Sequence, residues 1–435
     1  MLDIKFIRGN IDTVRTNLAK RQDPEKSAWL EELVKLDGEH RKLNVEIEAL
    51  RARRNAVSRE VAQAIKDKLA PERVAALKEE AASVPGKIKD AEEKTAAQQE
   101  RMRYYLMRLP NLLHESVPYG ADERGNVVVR KHGTPTLKDF DLVPHGELCQ
   151  RNGWADFERA AKASGQGFVY IKGQLAILEQ SLIRMSVDML SERGYTLVNT
   201  PMMLRRDAYE GVTSLSDFED VIYKLDGKDE YMIATSEHPL AAMYKDEVVD
   251  AEKLPLKYAG LSACFRKEIG GHGVDSKGLY RMHQFNKVEQ FVFCRPEESW
   301  KYFDEILANS EAFWQALGIP YRILEICTGD IGIVAAKKQD VEAWFPRNKE
   351  YREVGSCSNC TAYQATRLNA KYRVGKQGAD DAEKAFMHTL NNTLMATSRA
   401  MVAILENYQN EDGTVTVPPA LRRYTGFDVM APEKQ

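Results

Sequence analysis

The chain has 435 residues, of which 43% are hydrophobic and 29% charged, and its formal net charge is −3. This length predicts two or three domains. The small net charge excludes a protein that holds nucleic acid through bulk charge, although it is compatible with a local basic surface. The sequence contains no apolar run near the ~20 residues that span a bilayer, and its start has no signal-peptide pattern.

The six cysteines are too sparse for a disulfide scaffold and fit a reducing, cytoplasmic setting. Two of them, Cys357 and Cys360, form a single CxxC pair. Without a second pair at zinc-knuckle spacing this is weak support for a metal or redox site, so we expect buried core thiols. We also expect His145 and His388 to be structural histidines and not catalytic bases.

The first quarter of the chain carries two apolar seams with heptad spacing. The first seam is Leu36, His40, Leu43, Ile47, Leu50, Arg54, Val57, Val61 and Ala64, and the second is Val74, Leu77, Ala81, Val84, Ile88, Ala91 and Thr95. Pro71, between them, suits the first turn of a new helix. Two helices with a short loop predict an antiparallel coiled-coil hairpin over about residues 27–106, within a domain of residues 1–112. Pro85 predicts a kink in the second helix.

The hairpin carries a basic stripe along its first helix and around its tip. Arg51, Arg53, Arg54 and Arg59 cluster on the first helix, and Lys66, Lys68 and Arg73 lie near the tip. They suit contact with phosphates, but charge runs are more often solvated faces. From the pattern alone, an oligomerisation coiled coil is as good an interpretation as an RNA-binding arm.

The remaining residues, 113–435, mix helical and extended patterns without regular βαβ alternation, which predicts an α+β domain. Residues 174–193 carry a helical apolar stripe that stops at Gly194, and residues 195–200 form a strand closed by Pro201. Antiparallel strands follow, with one further clear helix at about residues 393–407.

Residues 256–293 contain the most informative pattern, two extended segments around a glycine-rich loop at 270–278. Strand alternation places Arg266 and Glu268 on one face of the first segment. On the second segment, His283, Phe285, Lys287 and Glu289 share a face.

These side chains suit an adenylation site. The planar fork of Arg266 can bind a carboxylate and an α-phosphate, Phe285 can stack on a purine, and Glu289 can accept from an ammonium and a hydroxyl. A salt-bridged structural sheet is the alternative interpretation of the two strands alone.

Three segments of the chain resemble the class II aminoacyl-tRNA synthetases. The segment FRKE followed by RMHQFNKVEQF resembles motif 2. Within it, the sequence HQFNKVE is similar to the form of this motif in the seryl-tRNA synthetase family in particular. Residues 174–201 resemble motif 1, the dimer-forming element, and residues 388–426 resemble motif 3. The N-terminal hairpin is similar to the arm with which that family holds the long variable arm of tRNA(Ser).

The resemblance implies a cytoplasmic, homodimeric serine–tRNA ligase with a class II catalytic domain, an antiparallel sheet flanked by helices. Such an enzyme uses ATP and Mg²⁺ to form seryl-adenylate and pyrophosphate, then moves serine to the terminal ribose of tRNA(Ser). Whether tRNA(Sec) is a second substrate stays open. Two rival hypotheses are a synthetase-like ligase that loads a carrier protein and a non-catalytic RNA-binding homologue.

The resemblance also assigns roles to individual positions. Serine binding falls to Thr235, Ser236, Glu237, Arg266, Glu289 and Thr393. ATP binding falls to Arg266, Lys267, Glu268, Met282, Phe285, Glu353, Val354, Gly355, Ser356 and Arg399. The residues expected to be catalytic are Arg266, Glu289 and Arg399, and the expected ligands of the ATP-bound Mg²⁺ are Glu353 and Ser356.

Two of these positions depart from the common family pattern. Many members read Gly-Ser-Gly where this chain has Asn392-Thr393-Leu394, and many have two serines where it has Gly355-Ser356. Thr393 keeps a hydroxyl, so we expect discrimination for serine to survive, in a pocket made tighter by the methyl group.

Overall fold

The computed structural model describes residues 1–214, 219–268, 278–374 and 383–432. It divides into two compact units, Leu2–Pro110 and Asn111–Gln435, with Met1 grouped with the second. Within the described ranges, every helix is too short or too polar to cross a bilayer. Apart from Gly278, the predicted glycine-rich loop lies outside these ranges.

The first unit is helical. Its helices are α1 (Ile4–Gly9), α2 (Ile11–Ala19), α3 (Pro24–Lys66) and α4 (Pro71–Leu106). The start of α3 follows directly from its sequence, because the Asp23 side chain accepts from the backbone N–H groups of Glu25 and Lys26 and Pro24 occupies the first turn.

The two long helices, α3 and α4, form an antiparallel coiled coil, as predicted. Buried apolar side chains recur along both, among them Leu36, Ile47, Val57, Ala64, Leu77, Val84 and Ile88. Arg53 in α3 pairs with Glu80 in α4 at 2.7 Å, and Glu32, near the start of α3, pairs with Arg101, near the end of α4, at 2.8 Å. Pairs of that order require antiparallel helices. Pro85 lies inside α4, which continues to Leu106.

The second unit is α+β, as predicted. Its strands are β1 (Val127–His132), β2 (Ala155–Asp156), β3 (Tyr170–Ile171), β4 (Thr196–Asn199), β5 (Met203–Arg205), β6 (Glu230–Met232), β7 (Val248–Asp250), β8 (Leu256–Phe265), β9 (Gln284–Cys294), β10 (Tyr321–Glu325), β11 (Lys337–Phe345), β12 (Glu350–Thr361), β13 (Lys371–Arg373), β14 (Lys384–Phe386), β15 (His388–Ala396), β16 (Val415–Thr416) and β17 (Val429–Met430). Its helices are α5 (His145–Arg151), α6 (Phe157–Ser164), α7 (Gly173–Ser191), α8 (Arg206–Val212), α9 (Glu237–Ala242), α10 (Ser299–Ala316), α11 (Tyr363–Leu368), α12 (Thr397–Asn407) and α13 (Pro419–Thr425).

An eight-stranded sheet organises this unit, in the order β1-β10-β11-β12-β15-β9-β8-β4. Neighbouring strands are antiparallel, except that β4 runs parallel to β8. Helices α7, α10 and α12 contribute to the main apolar core together with Val288 and Val292 of β9. Because side chains alternate along a strand, Lys287 and Glu289 face away from these two valines, toward the opposite surface of the sheet.

Two predictions of local structure were wrong. Strand β8 ends at Phe265, so Arg266 and Glu268 follow the strand and do not share one of its faces. Glu268 has a φ of 47°, which extended backbone does not allow. The helix predicted from residue 393 begins at Thr397, because residues 393–396 pair with β9 and continue β15.

Helix α10 was not predicted, although its sequence is amphipathic. It buries Tyr302, Phe303, Ile306, Phe313 and Trp314 against the sheet. This helix packs behind β15 and β9 and so supports the two central strands from the side opposite Lys287 and Glu289.

Candidate active site

A cavity of about 210 Å³ opens on the polar face of the eight-stranded sheet. All but two of the predicted site residues line it, namely Thr235, Glu237, Arg266, Glu268, Met282, Phe285, Glu289, Glu353, Val354, Gly355, Ser356, Thr393 and Arg399. These side chains come from the central strands β9, β15 and β12, from the start of α12, from the start of α9 with the residues before it, and from the segments after β8 and before β9. Segments far apart in sequence therefore converge on one site.

Two predicted site residues do not line this cavity. Ser236 is fully buried, and its hydroxyl donates to the carbonyl of Gly260 at 3.1 Å. Lys267 points elsewhere, with its Nζ atom 3.3 Å from the carbonyl of Glu219. Both are neighbours of lining residues, and their side chains serve the packing or the surface around the site.

Several lining residues were not assigned to the site from the sequence. They are Tyr280, Arg281, Lys287, Ser358, Asn391, Ala396 and Ser398. The strand alternation had placed Lys287 on one face with Phe285 and Glu289, but no role was assigned to it. Ser358 and Asn391 are paired across β12 and β15, and that register is set by tertiary contacts that no local pattern reveals.

A buried polar cluster of Lys287, Glu289 and Thr393 forms part of the cavity lining. The Lys287 Nζ atom lies 2.6 Å from Glu289 Oε2, and both side chains are less than a tenth exposed. The Thr393 hydroxyl donates to the same Glu289 oxygen at 3.1 Å. The carboxylate is thus partnered by an ammonium and a hydroxyl, as a buried charge requires.

Glu237 borders this cluster at the start of α9. Burial raises its pKa to about 7, and the nearby Glu289 carboxylate adds to the shift. Lys287, the amide of Gln364 and Arg266 oppose the shift. Glu237 is therefore close to half-ionised at neutral pH, and a cation brought into the cavity would favour its charged form.

A second ion pair, between Arg399 and Glu353, also lines the cavity. Arg399 Nη1 lies 2.9 Å from Glu353 Oε1 and donates to the Glu353 carbonyl at 3.0 Å. Burial raises the pKa of Glu353, but Arg399 and Lys338 outweigh it, and the net pKa lies below its usual value. Glu353 is therefore held as a carboxylate.

Arginines and aromatic rings lie next to each other in the cavity lining. The Arg266 guanidinium carbon is 5.4 Å from the centre of the Phe285 ring, and that of Arg399 is 5.4 Å from the centre of the Tyr280 ring. Glu268 and Arg281 form a looser pair at 3.4 Å. Planar cations next to aromatic faces suit a flat, anionic ligand.

Gly355 on β12 lies very close to Thr393 on β15. A Cβ atom added to Gly355 would stand 2.9 Å from the Thr393 carbonyl oxygen and 3.4 Å from the Thr393 Cβ atom. The first distance is a clash with backbone, which cannot be relieved by turning a side chain. The two positions where this chain departs from the common family pattern are therefore in contact.

The histidines and the CxxC pair lie outside the cavity lining. Burial lowers the pKa of His388 to about 4, and its Nδ1 atom is 3.0 Å from the Ser299 hydroxyl. His145 accepts from the backbone N–H of Leu279 at 3.2 Å. Cys357 and Cys360 are buried free thiols. Within the described part of the chain, His, Cys, Asp and Glu form no group of three or more suited to a metal ion.

Comparison with known proteins agrees with this geometry. A family model described as tRNA synthetase class II core domain (G, H, P, S and T) matches residues 221–408, and one described as Seryl-tRNA synthetase N-terminal domain matches residues 1–113. A serine–tRNA ligase from Methanoculleus marisnigri is 55% identical over 98% of both chains. The chain belongs to the seryl-tRNA synthetase family. Its predicted family and fold class are confirmed.

Solved seryl-tRNA synthetase structures share the whole architecture. The crystal structure of the Pyrococcus horikoshii seryl-tRNA synthetase complexed with ATP is 45% identical, with a TM-score of 0.93 and full coverage of both chains. That of the cytoplasmic serine–tRNA ligase of Naegleria fowleri in complex with AMP is 34% identical, with a TM-score of 0.85, and covers 99% of this chain and 97% of its own. The family resemblance therefore includes the helical hairpin as well as the eight-stranded sheet.

Proposed function

We propose that this protein is a serine–tRNA ligase that forms seryl-adenylate from L-serine and ATP and then esterifies tRNA(Ser). The observation that carries the proposal is the cluster of Glu289, Lys287 and Thr393 in a cavity that also holds Arg266 and Arg399. The cluster offers a buried acceptor and a hydroxyl, and the arginines offer cations in the same cavity. A small hydroxy amino acid and a nucleotide match that distribution.

The residues proposed to bind serine suit its three polar groups, the hydroxyl, the ammonium and the carboxylate. Glu289 and Thr393 bind the side-chain hydroxyl, and Glu289 also accepts from the ammonium. Glu237 and Thr235 complete the surroundings of the ammonium, and Arg266 binds the carboxylate. A substrate without the hydroxyl leaves buried polar groups unpaired, which is the physical basis for rejecting alanine.

The nucleotide end follows from the placement of rings and cations. Phe285 stacks on the adenine, Arg399 covers the other side of the nucleotide, and Arg266 reaches the α-phosphate. Glu268, Met282, Val354 and Gly355 line the remaining ATP surface. These roles are the ones that the family resemblance implies, and all seven residues line the cavity.

Adenylation needs no protein nucleophile. A serine carboxylate oxygen attacks the α-phosphorus, a new O–P bond forms, and the bond to pyrophosphate breaks. Arg266 and Arg399 stabilise the negative charge that develops on the phosphate, and the cavity holds the two reactants in position. In the second step, the terminal ribose hydroxyl of tRNA attacks the seryl carbonyl and releases AMP.

The oxygen donors at the nucleotide end fit the Mg²⁺ expected with ATP. Glu353 and Ser356 would hold it, since this ion favours one or two protein oxygens together with phosphate oxygens and water. When bound, it supplies positive charge that neutralises the phosphates. Asp340, paired with Ser356 across β11 and β12, has a buried Oδ1 atom without a hydrogen-bond partner among the described residues.

The hairpin over residues 27–106, within an N-terminal domain of residues 1–112, is proposed to hold tRNA(Ser). Arg51 and Arg53 are engaged in ion pairs with Glu92 and Glu80 that join the two helices. Arg54 and Arg59 are exposed and form no ion pair within the described ranges, so they are the stronger candidates for phosphate contacts.

The catalytic domain, residues 113–435, is proposed to form a homodimer through α7 and β4. Ile177 on α7 is 44% exposed and Leu197 on β4 is 41% exposed, which suits burial against a second copy. The buried free thiols support a reducing, cytoplasmic location.

Pyrophosphate exchange into ATP, measured with each amino acid in turn, tests the proposal. Exchange with serine alone, together with serine esterification of total tRNA, is the expected result. Labelling of a carrier protein, or tight binding of a seryl-adenylate mimic without exchange, would favour the rival functions. Reversal of Arg54 and Arg59 to Glu should weaken tRNA charging and leave exchange unchanged.

A further inference from the structure

We propose that Gln364 and Thr389, which do not line the cavity, are positioning residues that hold the Glu237 carboxylate ready for the substrate ammonium. This inference rests on the proposed function, because it takes Glu237 as a group that binds the amino end of serine. It assigns to Gln364 and Thr389 a role in binding the part of the substrate that all amino acids share.

A continuous chain of hydrogen bonds joins these three residues. The Thr389 hydroxyl donates to Gln364 Oε1 at 2.7 Å. Gln364 Nε2 in turn donates to Glu237 Oε1 at 2.9 Å and to the Val212 carbonyl at 3.3 Å. Thr389 and Gln364 are both fully buried, so water does not compete for these bonds.

The surroundings of Gln364 allow only one orientation of its amide. The Val212 carbonyl can only accept, so the group beside it and Glu237 must be the NH₂ end. The Oε1 end then faces Thr389, whose hydroxyl must donate. Thr389 therefore fixes the orientation of the Gln364 amide, and the NH₂ group of that amide donates to the Glu237 carboxylate in the cavity lining.

This donor matters because the net effect of the other groups around Glu237 is to favour its neutral form. Burial and Glu289 both disfavour the charged carboxylate, whereas Lys287 and Arg266, which face the same region, favour it. The Cys360 thiol is nearby and, with its pKa raised by burial, stays neutral. A hydrogen bond from a neutral amide favours the anion without adding a cation that would repel an ammonium.

Substrate selectivity distinguishes the proposed role of Gln364 and Thr389 from that of Glu289 and Thr393, which are proposed to bind the serine hydroxyl. An α-ammonium is common to serine and alanine, so loss of the Gln364 donor should weaken both substrates equally. Changes at Thr393 should instead alter the ratio between them. The inference therefore predicts a change in affinity without a change in selectivity.

Gln364→Met, which keeps the length of the side chain and removes the donor, is the first test. The KM for serine in pyrophosphate exchange should rise roughly tenfold, and the pH below which binding weakens should shift upward. The KM for ATP and the serine-to-alanine selectivity should stay as in the parent protein. Thr389→Val should give a smaller effect of the same kind, and Thr389→Ser should behave as the parent.

Several outcomes would overturn the inference. They are an unchanged serine KM and pH profile in Gln364→Met, or equal losses toward ATP and serine, which would indicate a merely structural role. If Gln364→Met fails to fold, Thr389→Val decides the question by the same measurements. Glu237→Ala separates the two proposals, because a normal serine KM in that variant contradicts the role of Glu237 itself, independently of Gln364.

Discussion

Thr393 on β15 donates a hydrogen bond of 3.1 Å to Glu289, its cross-strand neighbour on β9. Lys287 holds the same carboxylate from two residues away on β9. All three groups line the cavity, and Glu289 is only 1% exposed. The side chains proposed to recognise one small hydroxyl group are thus already satisfied by one another, and a substrate must fit into an existing polar cluster.

Replacing Thr393 by Val removes the hydroxyl and keeps the shape of the side chain. We expect kcat/KM for serine to fall about ten- to a hundredfold, since a hydrogen bond to a charged group is worth ~1.5–3 kcal/mol. Activation of alanine should change much less. Pyrophosphate exchange with both amino acids measures the effect, and Thr393→Ser is the matched control. Full selectivity in the Val variant would show that Thr393 does not read the hydroxyl.

Serine binding should depend on pH through Glu237. Its pKa of about 7 means that the carboxyl becomes neutral as the pH falls below that value, and a neutral carboxyl attracts an ammonium weakly. We therefore expect the KM for serine to rise as the pH falls below about 7. In Glu237→Gln the KM should be high and should lose this dependence. A parent protein whose serine KM stays constant across this range would contradict the assignment.

The same shift predicts an effect on stability. Because the folded-state pKa lies above the unfolded value, Glu237 contributes stability below the unfolded pKa that is lost as the pH rises through 7. Glu237→Gln should therefore raise the midpoint of thermal unfolding of the ligand-free protein, relative to the parent, at about pH 8. The difference should be smaller in acid, where Glu237 is already neutral. A lower unfolding midpoint for Glu237→Gln than for the parent at about pH 8 would show that the charged Glu237 does not destabilise the folded protein.

Lys287→Met should leave the Glu289 carboxylate buried without its cation. Breaking a buried pair by removing one partner costs about 3–5 kcal/mol, which denaturant unfolding can measure. Adding Glu289→Gln to the same chain should restore much of the stability, because no buried charge is then left alone. Activity should not return, since Glu289 is proposed to bind serine. A single variant as stable as the parent would argue that the pair is open to solvent.

Arg399→Met should weaken ATP binding more than serine binding. The guanidinium contacts Glu353 and lies near Tyr280, both of which line the cavity. Its loss should also raise the pKa of Glu353, because Arg399 is the cation that does most to hold that pKa below its usual value. Calorimetry with Mg·ATP and with serine separates the two effects, and Arg399→Lys, which keeps the charge, is the control. Equal weakening of both ligands would contradict the assignment.

The sequence predicted those parts of the site whose geometry depends on a local rule, the alternation of side chains along a strand. Alternation along β9 placed Phe285, Lys287 and Glu289 on one face, and the structure confirms it for these three residues. The same rule failed for Arg266 and Glu268, because β8 ends one residue earlier and the chain turns at Glu268. Both still line the cavity, because the turn brings them back to it.

Other features depend on partners that lie far away in the sequence. Residues 393–396 have a helical pattern, but pairing with β9 keeps them in a strand. The positions of Ser358 and Asn391 depend on the register between β12 and β15, and the contact of Gln364 with Glu237 joins segments 127 residues apart. Local periodicity carries no information about such contacts.

The close approach of Gly355 to Thr393 also limits how this enzyme can change over time. Serine at position 355, common in the family, would place a Cβ atom 2.9 Å from the Thr393 carbonyl and displace β15. Replacing Thr393 by Ser would not relieve that contact, since the obstacle is the backbone. A larger residue at position 355 is therefore compatible with this fold only if the backbone of β15 moves with it.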